Sequence, residues 1–208
     1  MSKEVFMKPD FVLFFDSETT GVDVRKARIV ELAWILARAD GEIILEETRL
    51  IKPNGFTIPE EAAKIHGITT EIATAEGEPI TKVLEEFFKD MTSAGLLIGH
   101  NLIYDINMIT AECWRTGISS SQLREKARFC TMINSTDYCR IGKFNDRGGF
   151  KFPKLSEAYE IFTGSPLVNC HDALVDTQAC QEIFFTGLNK GIFRFNEPHP
   201  TILCEVCQ

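Results

Sequence analysis

The sequence predicts an α/β fold, with a mixed five-stranded sheet, its first three strands antiparallel, flanked by helices. Three observations carry this. Three apolar strand-like runs follow one another before residue 52, and a turn signal joins the second to the third. Two further short apolar runs then alternate with segments of helical periodicity. Consecutive strands joined by a hairpin are antiparallel, whereas strands separated by helices pair in parallel, so the sheet is mixed.

The elements follow in order. Phe11 to Phe15 (FVLFF) is a short run rich in aromatics, the pattern of a buried strand. Ile29 to Arg38 (IVELAWILAR) gives the second strand. Asp40-Gly41 supplies a two-residue hairpin turn into a third strand from Glu42 to Ile51, which Pro53-Asn54-Gly55 ends. A short helix follows Pro59, and a longer one covers Ile80 to Met91, with Val83, Leu84, Phe87 and Phe88 on one face. Leu96 to Ile98 forms the fourth strand and leads through Gly99-His100-Asn101 into a helix reaching about Arg115, striped by Ile103, Ile106, Ile109 and Cys113. Arg128 to Ile133 gives the fifth strand. Leu155, Ala158, Tyr159 and Phe162 stand at helical spacing, and Gly164 stops that helix. A last helix runs from Asp172 to about Gly187, so one domain is expected over residues 8–190, followed by a short tail over 191–208.

Composition bounds the function less tightly. No apolar run reaches the roughly 18 residues of a membrane span, and no secretory signal opens the sequence, so an intracellular, cytoplasmic protein is expected. Seven cysteines without framework spacing suit a reducing compartment. Cys204 and Cys207, with His199, lack a second ligand pair at zinc spacing, so no zinc site is expected. The net charge of −8 argues against a polyanion partner unless part of it is a metal-binding cluster, which turns locally positive when filled.

Three acidic clusters supply such a site. Asp16 and Glu18 stand two apart at the end of the first strand, so their side chains share a face. At about 4 Å and an effective dielectric near 20 their repulsion is about 4 kcal/mol, which hard divalent cations offset. An exposed strand end solvating both acids is the plainer alternative. Asn101 is a plausible N-cap that places Asp105 in the first turns of a helix, where the dipole tolerates an anion. His171 and Asp176, five apart, cannot share a direction on one helix. With Asp172 as N-cap, Asp176 lies inside the helix and His171 hangs on the preceding loop, where an imidazole can act as a base.

These motifs resemble the DnaQ-like (DEDDh) 3′–5′ exonucleases of the RNase H-like superfamily. The resemblance rests on Asp16-Ser17-Glu18-Thr19-Thr20-Gly21, Gly99-His100-Asn101 with Asp105, His171 with Asp176, and the segments Ile65-His66-Gly67-Ile68-Thr69 and Pro153-Lys154-Leu155-Ser156, spanning residues 10 to 188. It implies an RNase H-like fold. It further implies that Asp16, Glu18, Asp105 and Asp176 hold two Mg²⁺ or Mn²⁺ ions, with His171 as general base. Thr19, Gly21, Ile65 and His66 match positions beside the terminal nucleotide, and His100 matches a structural histidine. Activity is then expected to need divalent metal, to vanish in chelator, and to fall as the base is protonated.

The stretch from Arg140 to Lys154 interleaves Lys143 and Arg147 with Phe144, Phe150 and Phe152, which suits a single strand approaching the site. A solvated hairpin with its phenylalanines in the core fits equally. A catalytically silent nucleic-acid-binding module has no use for clustered repulsive acids, and a calcium-binding protein would show a contiguous loop of oxygen ligands. The expected partner is single-stranded or 3′-terminal DNA or RNA, with an RNA-specific exoribonuclease as the alternative enzyme. The short tail favours a stand-alone enzyme, with a polymerase partner or a homodimer left open.

Overall fold

The computed structural model describes residues 8–142 and 149–195. Its five strands are β1 (Phe11–Thr19), β2 (Ile29–Arg38), β3 (Ile43–Leu50), β4 (Leu96–Gly99) and β5 (Ala127–Cys130). They form one sheet in the order β3-β2-β1-β4-β5. β1 pairs antiparallel with β2, and β2 with β3, whereas β1–β4 and β4–β5 are parallel, as the run order predicts. The helices are α1 (Glu60–His66), α2 (Thr70–Glu76), α3 (Ile80–Met91), α4 (Leu102–Thr116), α5 (Ser121–Glu125), α6 (Thr131–Cys139), α7 (Leu155–Thr163) and α8 (Ala173–Asn189).

Strand alternation divides the core into two layers. Leu13, Phe15, Trp34 and Leu36 face α3 and α4, where they meet Val83, Phe87, Ile106 and Ile109. Val12, Phe14, Ile35 and Ala37 face the other way and pack with Ala158, Phe162, Ile183 and Phe184 of α7 and α8. Both faces of β1 are therefore apolar up to Phe15, which is why its sequence is a continuous run and not an alternation. Trp34 is fully buried and satisfies its indole N–H on Asp90, 3.0 Å away.

A buried charge cluster fastens the loop that follows β1. Glu112, only 1% exposed, accepts from Arg28 Nε at 2.8 Å, Arg28 Nη2 at 3.1 Å, Arg115 Nη1 at 3.1 Å and the Ile29 amide at 3.3 Å. Arg115 also donates to the Val24 and Arg25 carbonyls. Two guanidinium groups and an amide around one carboxylate are what its burial requires.

Several expectations are corrected. The hairpin loop has three residues, Ala39 to Gly41, because the Arg38 amide closes it on the Glu42 carbonyl; Gly41 takes the positive φ of 106°. β5 stops at Cys130, and Thr131 opens α6, whose buried face is polar (Thr131, Ser135, Thr136) and shows no apolar stripe in sequence. Asn101 occupies the N-cap position of α4 in the left-handed conformation, φ 67°, and makes no side-chain cap. Gly164 does end α7 at φ 80°. Residues 191–195, placed in the tail by the sequence, bring Phe193 against Phe129 at 5.0 Å and Phe162 at 5.4 Å. The Phe193 ring covers Gly187 so closely that a Cβ there would lie 2.1 Å from it. No helix among the described residues is long and apolar enough to cross a membrane. His199, Cys204 and Cys207 lie outside the described residues.

Candidate active site

β1 outruns its parallel partner. Its register with β4 ends at Phe14–Ile98, while pairing with β2 continues through Asp16–Ala33 and Glu18–Glu31. The crevice beyond the carboxyl ends of β1 and β4 is where ligands collect in open sheets. Asp16 and Glu18 fall on the α8 face of the sheet, with Phe14, and Ser17 on the α4 face, with Phe15.

Asp105 reaches the same place from α4. It is 3% exposed, and its Oδ1 accepts from the Ser17 amide at 3.1 Å and the Ser17 hydroxyl at 2.7 Å. Ser17, lying between two acids of the first cluster, thus holds the acid of the second. From the other side comes α8. Asp172 caps it, accepting from the Leu174 and Val175 amides at 3.0 Å each, which puts Asp176 in the first turn and leaves His171 outside the helix. His171 has φ 71° and donates its backbone N–H to Asp176 Oδ2 at 3.2 Å. Glu18, His171 and Asp176 offer ligand atoms within 4.8 Å of one another, a group able to hold a metal ion.

The electrostatics express this crowding. Burial, followed by the charges of Asp105, Asp176, Glu18 and Glu31, drives the Asp16 carboxyl well above the ordinary range. Burial and Asp176 push Glu18 to about 8. Burial takes Asp105 to about 7 against the two Ser17 hydrogen bonds, and takes Asp176 to about 6 against the His171 amide. Asp176 Oδ1 is buried with no hydrogen-bond partner among the described residues. An orphaned carboxylate oxygen amid acids that cannot all ionise fits hard divalent cations with oxygen ligands.

A stability test follows. Each of these folded-state values lies above its unfolded value near 4, so the folded protein binds more protons than the unfolded chain between about pH 4 and 8. Stability is therefore present at low pH and lost as pH rises. In chelator the melting temperature is expected to fall by about 5 °C or more between pH 5 and pH 8, at roughly 2–4 °C per kcal/mol for a chain of this size. Mg²⁺ or Mn²⁺ should restore it. Thermal unfolding in chelator that rises steadily over this range would contradict the crowding.

The flanking residues sit as follows. Thr19 Oγ1 donates to the Gly21 carbonyl at 3.0 Å and lies 2.8 Å from the Tyr104 hydroxyl, which itself donates to that carbonyl at 2.7 Å. Ile65 is 58% exposed on α1. His66 accepts from the Ile68 amide at 3.1 Å, and burial, with the charge of His171 beyond it, holds its imidazole below the ordinary value. His100 spends both ring nitrogens on partners other than the four acids. It bridges Thr131 and the Pro153 carbonyl at 3.0 Å each, and burial lowers it to about 4, so it stays neutral as a structural tie. Lys143 and Arg147 lie outside the described residues, and Lys151 of the same stretch is engaged by Glu157.

Sequence reasoning missed Ser17, Glu31 and Tyr104. Ser17 was legible from parity, since a residue between two acids on a strand points to the opposite face. Glu31 was visible as a lone acid inside an apolar strand. Tyr104 carried no signal beyond its place beside Asp105.

Comparison with known proteins gives three kinds of match. A family model described as "Exonuclease" (RNase_T) matches residues 13–184. The DNA polymerase III subunit epsilon of Aquifex aeolicus is 37% identical over 86% of this chain and 81% of its own. The PolC-type DNA polymerase III of Staphylococcus aureus is 28% identical over 94% of this chain, which spans only 13% of that protein. Among solved structures, E. coli exonuclease I in complex with a dA16 oligonucleotide superposes with a TM-score of 0.73 at 21% identity, over 86% of this chain and 41% of the exonuclease. A zinc-bound form of the exonuclease I complex with single-stranded DNA gives 0.73 at 20% identity.

Proposed function

The chain belongs to the RNase_T exonuclease family, of the DnaQ-like, RNase H-like group, and on that premise we propose that it removes nucleotides one at a time from the 3′ end of DNA. The observation that carries this is the meeting of Asp16, Glu18, Asp105 and Asp176, from three separate elements, around one partly buried crevice beside His171, where burial and neighbouring acids raise every carboxyl. In this reading the four carboxylates hold two Mg²⁺ or Mn²⁺ ions. When bound, two such ions activate the attacking water and stabilise the departing 3′ oxygen.

The chain's own groups do the rest. Ser17 aims Asp105. His171, carried on a loop in place of a helix, takes the proton of the attacking water. The Thr19–Gly21 turn, braced by Tyr104, and Ile65 and His66 of α1 flank the terminal nucleotide. Lys143 and Arg147 guide the incoming strand. DNA is favoured because the two relatives reported above carry DNA polymerase III in their names, and the two exonuclease I structures reported above hold DNA, one of them with a zinc ion.

The test is a side-by-side digestion of 5′-labelled single-stranded DNA, duplex DNA and RNA with Mg²⁺, Mn²⁺ or chelator. A ladder shortening by single nucleotides from the 3′ end of DNA, absent in chelator, is the expected result. Internal cuts, preference for RNA, or activity indifferent to chelator would overturn the reading in its respective part.

A further inference from the structure

The first turn of α8 offers three amide N–H groups, those of Ala173, Leu174 and Val175, that its own helix cannot satisfy, and each has an identified partner. Leu174 and Val175 donate to the Asp172 side chain, and the helix's own bonds begin with Asp176 donating to the Asp172 carbonyl at 2.9 Å. The remaining one, Ala173 N–H, crosses to Glu31 Oε2 on β2 at 3.1 Å, a contact between residues 142 apart in sequence. Ala173 is fully buried, so this amide has no water to fall back on. Glu31 is itself the cross-strand partner of Glu18, and Thr48 of β3 donates to its other oxygen at 3.4 Å.

We propose that Glu31 is a positioning residue, a carboxylate clamp that fixes the start of α8, and with it Asp176 and the His171 loop, at a set distance from Glu18. This rests on the nuclease reading above. Its place argues for a clamp and against a ligand. Both of its oxygens are already engaged, Oε2 by the Ala173 amide and Oε1 by the Thr48 hydroxyl. Its Oε2 points at a helix N-terminus, where an anion is stabilised by the exposed amides and the dipole. A sheet strand that already carries Glu18's neighbour in register is a rigid base from which to hold the helix. Without the clamp, the loop from Asn169 to Asp172 would lose the only described hydrogen bond that ties the first residue of α8 to the sheet.

The test compares the full chain with Glu31→Ala, which removes the acceptor, Glu31→Gln, which keeps an acceptor oxygen without charge, and Ala173→Pro, which removes the donor at a helix position that tolerates proline. Mn²⁺ affinity is measured by calorimetry, amide exchange at Ala173 by NMR with Mg²⁺, and cleavage on single-stranded DNA. Residues that orient ligands from behind are worth about 10- to 100-fold in metal affinity or activity. Glu31→Ala and Ala173→Pro are expected to lose that much Mn²⁺ affinity. Glu31→Ala should also speed exchange at Ala173 at least tenfold, while β1 amides stay protected and report an intact fold. Glu31→Gln should remain within about threefold of the parent on both measures. The proposal is overturned if Glu31→Ala matches the parent in affinity and exchange, or if Glu31→Gln falls as far as Glu31→Ala, which would make Glu31 a ligand. A parent protein that neither binds Mn²⁺ nor cleaves DNA ends the nuclease reading instead, and exchange at Ala173 still reports on the clamp.

Discussion

Asp16→Asn is expected to lower metal-dependent cleavage by about a thousandfold or more while raising the thermal stability of the metal-free protein. Both effects come from one geometry. Burial first, and then the charges of Asp105, Asp176, Glu18 and Glu31, all raise the Asp16 carboxyl. As a shared ligand it would contribute several kcal/mol of transition-state stabilisation through the metals, and about 4 kcal/mol corresponds to a thousandfold in rate. An amide of the same shape is a poorer ligand and cannot ionise. At pH 8 in chelator, the parent must either hold a proton on Asp16 or bear the repulsion, and the variant does neither. Its melting temperature should exceed the parent's by several degrees at pH 8, with the gap closing towards pH 5, where the parent's acids are protonated. Cleavage rates with Mg²⁺ and melting curves in chelator check the two halves. A variant within tenfold of the parent in rate, or less stable at every pH, would remove Asp16 from the site.

That opposition between function and stability was partly visible in the sequence. The apolar run before Asp16, and the parity of Asp16 with Glu18, are local facts, and strand geometry turns them into two acids on one face. The five-residue spacing of His171 and Asp176 likewise resolves once Asp172 is a cap, and the structure has it capping two amides. Long apolar stripes gave β2 and α3 their bounds, Ile29–Arg38 and Ile80–Met91. What stayed hidden lacks a local pattern. α6 buries Thr131, Ser135 and Thr136, so no hydrophobic period announces it. The hold of Ser17 on Asp105 spans 88 residues and that of Glu31 on Ala173 spans 142. Such contacts depend on strand register and on where a helix lands, and those are settled by the assembled core.

The second large effect belongs to His171, and the choice of substitution matters because of its backbone. Its φ of 71°, with Asn169 at 59° two residues earlier, is a conformation that costs most L-residues about 1–2 kcal/mol and that asparagine adopts more readily. Alanine would remove the imidazole and loosen the loop together, whereas His171→Asn removes the imidazole and preserves the turn. The side chain is exposed, and its ring lies within reach of both Glu18 and Asp176, so two roles compete. A base is needed only as the water attacks, while a ligand is needed before anything reacts. If His171 is the base, His171→Asn lowers kcat by about 10²- to 10⁴-fold with Mn²⁺ affinity and substrate KM within a few-fold of the parent. Added imidazole should then return part of the lost rate, since a free base can enter a site whose own base was solvent-facing. If the ring were a metal ligand, Mn²⁺ affinity would drop in step with the rate, and higher metal concentration, not imidazole, would restore it. The backbone N–H of residue 171 still reaches Asp176 in the asparagine variant, so the carboxylate keeps its 3.2 Å partner and the comparison isolates the ring. Unchanged kcat in His171→Asn would leave the attacking water without an identified base and would move that role off this loop.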